Sequence, residues 1–404
     1  MPKDRIHKTL AKEMKLRSRE QRIRVIIKYK EQLAKAKAIE SGRLPQLPSR
    51  TISLLHAVVV AATPSEIEIL SREAGVDRIW PDLKVHACLD ASVPLVQAPS
   101  VWREGYTGKG VRVAVLDTGI DLEHPDFQGR IAAIADFTGE APTDVNGHGT
   151  HVAGIAAGDG RAGQGKYRGV APRSELYIGK VLDSRGSAYM SDVMVGIDWA
   201  VKQQVHVINL SLSGPPPGDG TDALSETCDT VVERGFVVCV AAGNSGPSPC
   251  SIGPPGCARQ VITVGASTDS DELLEASSRG PTGDGRVKPD VLFPGAGIVS
   301  CRAAGTCLGN ALDSRYTDAS GTSMATPHAS GTAALLLEAE PELTPGEIKR
   351  LIMGSAADLG LEPNSGGAGR GDAYAAYASA HSTEPDPVRT GCLTQLLRLW
   401  RCAE

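Results

Sequence analysis

Residues 113–119 read Val113-Ala114-Val115-Leu116-Asp117-Thr118-Gly119, an apolar run that passes straight into an acid and a glycine. Consecutive apolar residues without alternation fit a strand buried on both faces, and the Asp-Thr-Gly that follows stops it. We place this strand at 111–116. Outward from it, short apolar segments recur at 176–181, 205–210, 236–241 and 261–264. Longer stretches with helical spacing separate them, at 148–157, 191–202, 222–233, 322–338 and 344–355. Strands alternating with helices predict an α/β fold with a mostly parallel central sheet and helices on both faces. Sites in such sheets sit at the carboxyl ends of the strands.

The chain before this region is patterned differently. Residues 22–29 alternate like a strand, 31–41 have helical spacing, and 52–61 are β-rich with a break at His56. Thr63 is a plausible N-cap for a helix over 64–74, and 76–80 form a last strand. This β-α-β-β-α-β order suits a small ferredoxin-like α+β unit. Four regions follow: a charged extension (1–20), the small unit (21–90), the large α/β domain (91–380) and a C-terminal linker and tail (381–404).

With 404 residues, 41% apolar and 22% charged, and with 45 Gly and 26 Pro in no repeat, the chain is neither collagen, coiled coil nor wholly disordered. Aromatics make up only 4%, so Val, Ile, Leu and Ala must build the core. The longest strongly apolar run, 52–62, falls far short of the ~18 residues that cross a bilayer. No membrane partner is expected. Charge is uneven: residues 1–50 hold 15 Lys/Arg against five acids, a net of +10, which leaves −15 for residues 51–404 of a chain whose total is −5. A basic head on an acidic body suggests that the two attract each other. Nucleic acid is not expected as a partner, because no stacking aromatics interleave the basic residues.

Residues 1–24 alternate charges without an apolar core, unlike a secretory leader. The expectation is a cytoplasmic protein, with secretion by a non-standard route as the alternative. Nine cysteines is an odd count, and none sits in a CxxC, so structural zinc is not expected. Cys250/Cys257 and Cys301/Cys307 could each close a small disulfide loop or stay reduced, and the sequence leaves both open.

Three short motifs carry chemistry. Asp117 ends the first strand. In Asn146-Gly147-His148-Gly149-Thr150-His151, two glycines flank His148 at a helix start. In Gly321-Thr322-Ser323-Met324-Ala325-Thr326-Pro327-His328, Ser323 stands where unpaired helix N–H groups favour an anion. A serine hydroxyl is too weak an acid to attack unaided; a histidine must take its proton, and a carboxylate must orient that histidine. Asn244, in Ala242-Gly243-Asn244-Ser245-Gly246, adds a carboxamide able to hydrogen-bond an oxyanion. Two His without a further ligand cluster disfavour a metal reading. A lipase-like esterase would need GxSxG, which is absent around Ser323.

Over about 92–378 the sequence resembles the subtilisin-like serine proteases. VAVLDTG, NGHGTHVAG, AAGNSG and GTSMATPHASG match in order. The resemblance implies a serine endopeptidase needing no cofactor for catalysis. Ser323 is then the nucleophile, His148 the general base and acid, Asp117 its orienting group, and Asn244 the oxyanion donor beside the Ser323 N–H. His151 and His328 become structural. Ser211, Leu212, Ser213 and Gly214 match the segment that pairs with substrate backbone, with Gly186 on the opposite side. Gly253 matches the pocket floor and implies room for a large apolar side chain. Asp126 matches an acid that helps hold a structural Ca2+ in many relatives. The N-terminal unit resembles the family's inhibitor-type propeptide, implying a self-processing zymogen cut within 87–91, close to 88–90. Protein or peptide substrates, the chain's own propeptide and a monomeric state are the implied associations. The alternative from another class is a catalytically silent binding scaffold.

Overall fold

A computed structural model describes residues 89–381 continuously and, before them, 5–7, 10–11, 14–15, 18, 20–31, 44, 50–52 and 56–81. The chain forms two compact units, residues 1–85 and 86–404.

In the first unit, β1 (Ile23–Tyr29), β2 (Arg50–Ile52), β3 (Ala57–Ala62) and β4 (Val76–Pro81) make an antiparallel sheet in the order β2-β3-β1-β4. Alternation along β1 buries Ile23, Val25, Ile27 and Tyr29. They share a core with Ile67 and Leu70 of α1 (Pro64–Ser71). Thr63 and Glu66 close a capping box on α1: Glu66 N–H donates to Thr63 Oγ1 at 3.3 Å, and Thr63 N–H to Glu66 Oε2 at 2.7 Å. His56, at φ 51°, makes the expected break between β2 and β3. Residues 32–41 of the helix expected at 31–41, and the tail beyond 381, lie outside the described residues.

In the second unit, α2 (Leu89–Leu95) and α3 (Ala98–Arg103) lead into a seven-stranded, wholly parallel sheet. Its strands are β5 (Arg112–Asp117), β6 (Ile131–Asp136), β7 (Glu175–Lys180), β8 (Val207–Leu210), β9 (Val237–Ala241), β10 (Ile262–Ser267) and β11 (Val291–Pro294), in the order β11-β10-β9-β8-β5-β7-β6. The longer helices are α4 (His148–Ala157), α5 (Met190–Lys202), α6 (Ala223–Glu233), α7 (Thr322–Ala339), α8 (Pro345–Gly354) and α9 (Ala373–His381), and β12 (Ile298–Cys301) and β13 (Tyr316–Ala319) pair as a hairpin. Successive β5 residues serve opposite faces: Val113 and Val115 join the core with α4, α7 and α8, whereas Ala114 and Leu116 join the core with α5 and α6. That explains the unbroken apolar reading of 113–116.

All five expected strands and all five expected helices of this unit are present, shifted by a few residues at their ends, and α4 has the expected bounds. The sequence reading missed β6, β11 and the β12–β13 hairpin. β6 is an Ala-rich edge strand with no fully buried residue, and β11 is a four-residue run hemmed in by Pro289-Asp290 and Pro294-Gly295, which read as turns. No described helix is long and apolar enough to cross a membrane.

Because β6 and β7 lie on one side of β5 and β8 to β11 on the other, the order reverses at β5. Chain segments leaving the ends of β5, β8 and β9 therefore border one crevice.

Candidate active site

Asp117 is the last residue of β5, and His148 opens α4. The strand end and helix start approach so closely that a Cβ on Gly149 would lie 2.3 Å from Gly119 O, which requires the glycine after His148. His148 Nδ1 lies 2.7 Å from Asp117 Oδ1, and the two side chains are 20% and 1% exposed. Asp117 Oδ1 also accepts the Thr118 N–H at 2.8 Å. With Nδ1–H donated to the carboxylate, Nε2 keeps the lone pair that can exchange a proton. Burial alone would lower the His148 pKa, but the Asp117 charge and hydrogen bond, aided by Asp144, outweigh it and raise the value above the ordinary imidazole range.

Ser323 stands in the first turn of α7. Pro327, four residues on, has no N–H to close the helical bond to Ser323 O. Ser211 Oγ donates to that freed carbonyl at 2.9 Å, and Ser323 Oγ donates back to Ser211 O at 3.0 Å. Behind them Asn209 Nδ2 donates to Ser211 Oγ at 2.9 Å, and Ser330 Oγ to Asn209 Oδ1 at 2.8 Å. Sequence reasoning took Ser211 for a substrate contact and missed Asn209 and Ser330. The proline four residues after the serine was the available signal.

Asn244 Oδ1 accepts Thr322 N–H at 2.9 Å and Thr322 Oγ1–H at 3.2 Å. Those two donors identify the oxygen end of the carboxamide, so the Nδ2 end is the one left to donate. Gly321, at φ +149°, lets the chain pass this amide: a Cβ there would sit 3.1 Å from Asn244 Nδ2.

His148, Asn244 and Ser323 line one cleft of about 700 Å³. Ser211, Leu212, Ser213 and Gly214 line this cleft, and so does Gly186. Leu212 and Ser213 follow β8 and use neither backbone N–H nor C=O in a hydrogen bond among the described residues. Leu182, Met190 and Val193 add apolar lining. Gly253 is buried behind Gly214, where a Cβ would fall 2.2 Å from Gly214 O, so the wall requires glycine there. Cys250 and Cys257 are free thiols, as are Cys301 and Cys307, so neither local disulfide loop is closed.

His151 and His328 are wholly buried. His151 Nε2 donates to Ile298 O at 3.0 Å and burial pushes its pKa down to about 3. His328 Nδ1 donates to Met324 O at 2.9 Å and burial pushes it down to about 4. Both are neutral packing groups, as the sequence implied.

Calcium does not fit at Asp126, contrary to expectation. The buried carboxylate takes Ala162 N–H at 2.8 Å on Oδ1, and Tyr316 O–H at 2.8 Å and Cys301 S–H at 3.5 Å on Oδ2. Burial, reinforced by that carboxylate, pushes the Tyr316 and Cys301 pKa values up, so both remain protonated donors. The Arg130 guanidinium donates to Asp126 O and Ala157 O. His124 and Cys301 are the other potential ligands at hand, whereas calcium takes six to eight oxygens. Asp159, the remaining acid nearby, pairs with Arg161 at 3.1 Å.

A family model described as the subtilase family (Peptidase_S8) matches residues 108–371. Serine protease AprX of Bacillus subtilis (strain 168) is 37% identical over 392 residues, covering 88% of each chain. Subtilisin E of the same organism is 40% identical over 314 residues, covering 76% of this chain and 77% of its own. A crystal structure of a cold adapted subtilisin-like serine proteinase superposes with a TM-score of 0.54 at 33% identity, over 66% of this chain and 88% of that one.

Proposed function

Because the chain belongs to the subtilase family and is a serine endopeptidase, we propose that it cleaves peptide bonds through Asp117, His148 and Ser323 by an acyl-enzyme intermediate. The observation that carries this reading is the 2.7 Å Asp117–His148 hydrogen bond in a cleft that Ser323 and Asn244 also line. The Ser323 hydroxyl turns from Ser211 O to the His148 Nε2 lone pair, loses its proton as it attacks the scissile carbonyl, and becomes acylated. His148, now protonated and stabilised by Asp117, returns the proton to the leaving amine; the same steps with water release the acid. Asn244 Nδ2 and the Ser323 N–H receive the oxyanion.

Substrate enters as an extra strand against Leu212 and Ser213, whose backbone groups are open to it. The apolar lining by Leu182, Met190 and Val193 favours large aliphatic or aromatic side chains in the peptide.

The N-terminal unit acts as an inhibitory propeptide and folding template. A parallel sheet closes long loops before contacts reward them, so a template speeds its formation. The charge split between residues 1–50 and the remainder supports attraction between template and product. Residues 89–91 form the first turn of α2 and 82–88 lie outside the described residues. A protease takes its substrate extended, so the cut falls before Leu89. To test the whole reading, purified wild type and Ser323→Ala are incubated with a chromogenic peptide and sized by mass spectrometry. Hydrolysis and two fragments are expected for wild type, with an inert, full-length Ser323→Ala. A Ser323→Ala sample that still divides in pure form would refute self-processing.

A further inference from the structure

The acid–base pair leaves a structural question open. Asp117 receives both of its hydrogen bonds on Oδ1, one from Thr118 N and one from His148 itself; the buried Oδ2 has no donor among the described residues. The carboxylate is therefore oriented chiefly by the Thr118 peptide. Thr118 is itself held on two sides: its carbonyl oxygen accepts from Lys180 Nζ at 2.9 Å, and its Oγ1–H donates to Asp144 Oδ1 at 2.9 Å. The helix carrying His148 lacks a side-chain cap of its own, because Gly147 occupies the capping position. Asp144 supplies the missing acceptors. Its Oδ1 takes Gly147 N–H at 2.7 Å and Asn146 N–H at 3.1 Å, and its Oδ2 takes Thr150 N–H at 2.9 Å and Thr150 Oγ1–H at 2.6 Å. Thr118 Oγ1 in turn accepts Gly149 N–H at 2.8 Å.

We propose that Asp144 is a positioning residue for the proton-transfer pair, one buried carboxylate that locks the end of the Asp117 strand to the start of the His148 helix through the Thr118 hydroxyl. Asp144 and Thr118 do not touch the reacting atoms in this scheme. They set the distance and angle at which Asp117 meets His148. Asp144 also adds negative charge near the imidazole, among Asp117 from β5, His151 one turn along α4, Lys180 from β7 with its partner Glu140, and Arg185 at the cleft wall.

The inference rests on the proteolytic reading above, and the experiment separates the two. Asp144→Asn, Thr118→Val and Thr118→Ser are compared with wild type on one peptide substrate over a pH series, with circular dichroism confirming the fold. Misplacing a reacting pair by about 1 Å costs up to about a hundredfold, so kcat for Asp144→Asn and Thr118→Val is expected to fall about ten- to a hundredfold with little change in KM. The acid limb of kcat/KM, which reports the free-enzyme histidine, shifts to lower pH in Asp144→Asn because a negative charge is lost. Thr118→Ser, which keeps the hydroxyl, restores most of the rate. The proposal fails if Asp144→Asn turns over like wild type, if its acid limb stays in place, or if Ser at 118 is as poor as Val. Should Asp144→Asn not fold, the Val and Ser pair at 118 decides alone. An inactive wild type would instead defeat the proteolytic reading itself.

Discussion

At Ser323 the helix gives up a hydrogen bond to Pro327, and the freed carbonyl binds Ser211 Oγ, which in turn leans on Asn209 and Ser330. The serine is fixed by its backbone while its hydroxyl rests on Ser211 O. Asn244 is fixed in the complementary way, with its oxygen committed to Thr322 and its nitrogen the end able to donate. Asn244→Ala should lower kcat about 10²–10³-fold with KM nearly unchanged, a size already known for such a donor in a subtilisin rather than one this geometry yields. Steady-state kinetics on one peptide checks it; a variant with unaltered kcat removes Asn244 from the mechanism. Asp117, His148, Asn244 and Ser323 were legible in the sequence because each sits in a short motif at the end of a strand or helix. Asp144 and Asn209 were not, since a lone buried Asp or Asn looks like any turn or strand residue until the fold brings its partners together.

The elements legible from sequence were those buried on both faces of the sheet. Where burial is partial, as in β6, or a short strand is hemmed in by turn-forming residues, as β11 is by Pro289-Asp290 and Pro294-Gly295, the apolar pattern is too weak to read. Asp126 sits in a segment resembling a functional one, yet its carboxylate is satisfied by Ala162, Tyr316 and Cys301. The network around Asp126 ties the turn at Pro125–Phe127 to β12 and β13 without a cation. Thermal melts in excess chelator and in millimolar calcium should therefore coincide. Tyr316→Phe removes a buried donor from a carboxylate and should cost about 1–3 kcal/mol. A chelator-dependent midpoint, or a Tyr316→Phe variant as stable as wild type, would argue that a cation does hold this corner.

Across the whole molecule, pH acts through its buried histidines. His151 and His328 are held neutral, with values pushed down to about 3 and about 4, whereas in the unfolded chain they titrate near 6.5. Between those values the unfolded state binds more protons, so stability falls as pH falls. At about 1.4 kcal/mol per pH unit, each costs roughly 2 kcal/mol at pH 5 relative to neutral pH. His148 has the opposite sign: its raised value adds stability in acid that is lost as pH rises through its folded value, offsetting part of the loss. Urea unfolding of Ser323→Ala, which avoids self-digestion, should show a lower midpoint at pH 5 than at pH 7. An equal or higher midpoint would mean that these imidazoles are solvated.

The central claim is that residues 117, 148 and 323, far apart in the chain, work as one activated nucleophile. Its most direct measurement is fluorophosphonate labelling followed by peptide mass mapping of wild type, His148→Ala and Ser323→Ala. The expected result is one adduct per wild-type chain, located on Ser323, much slower adduct formation in His148→Ala and none in Ser323→Ala. An adduct on another residue, equal labelling of His148→Ala, or an unlabelled wild type would contradict it.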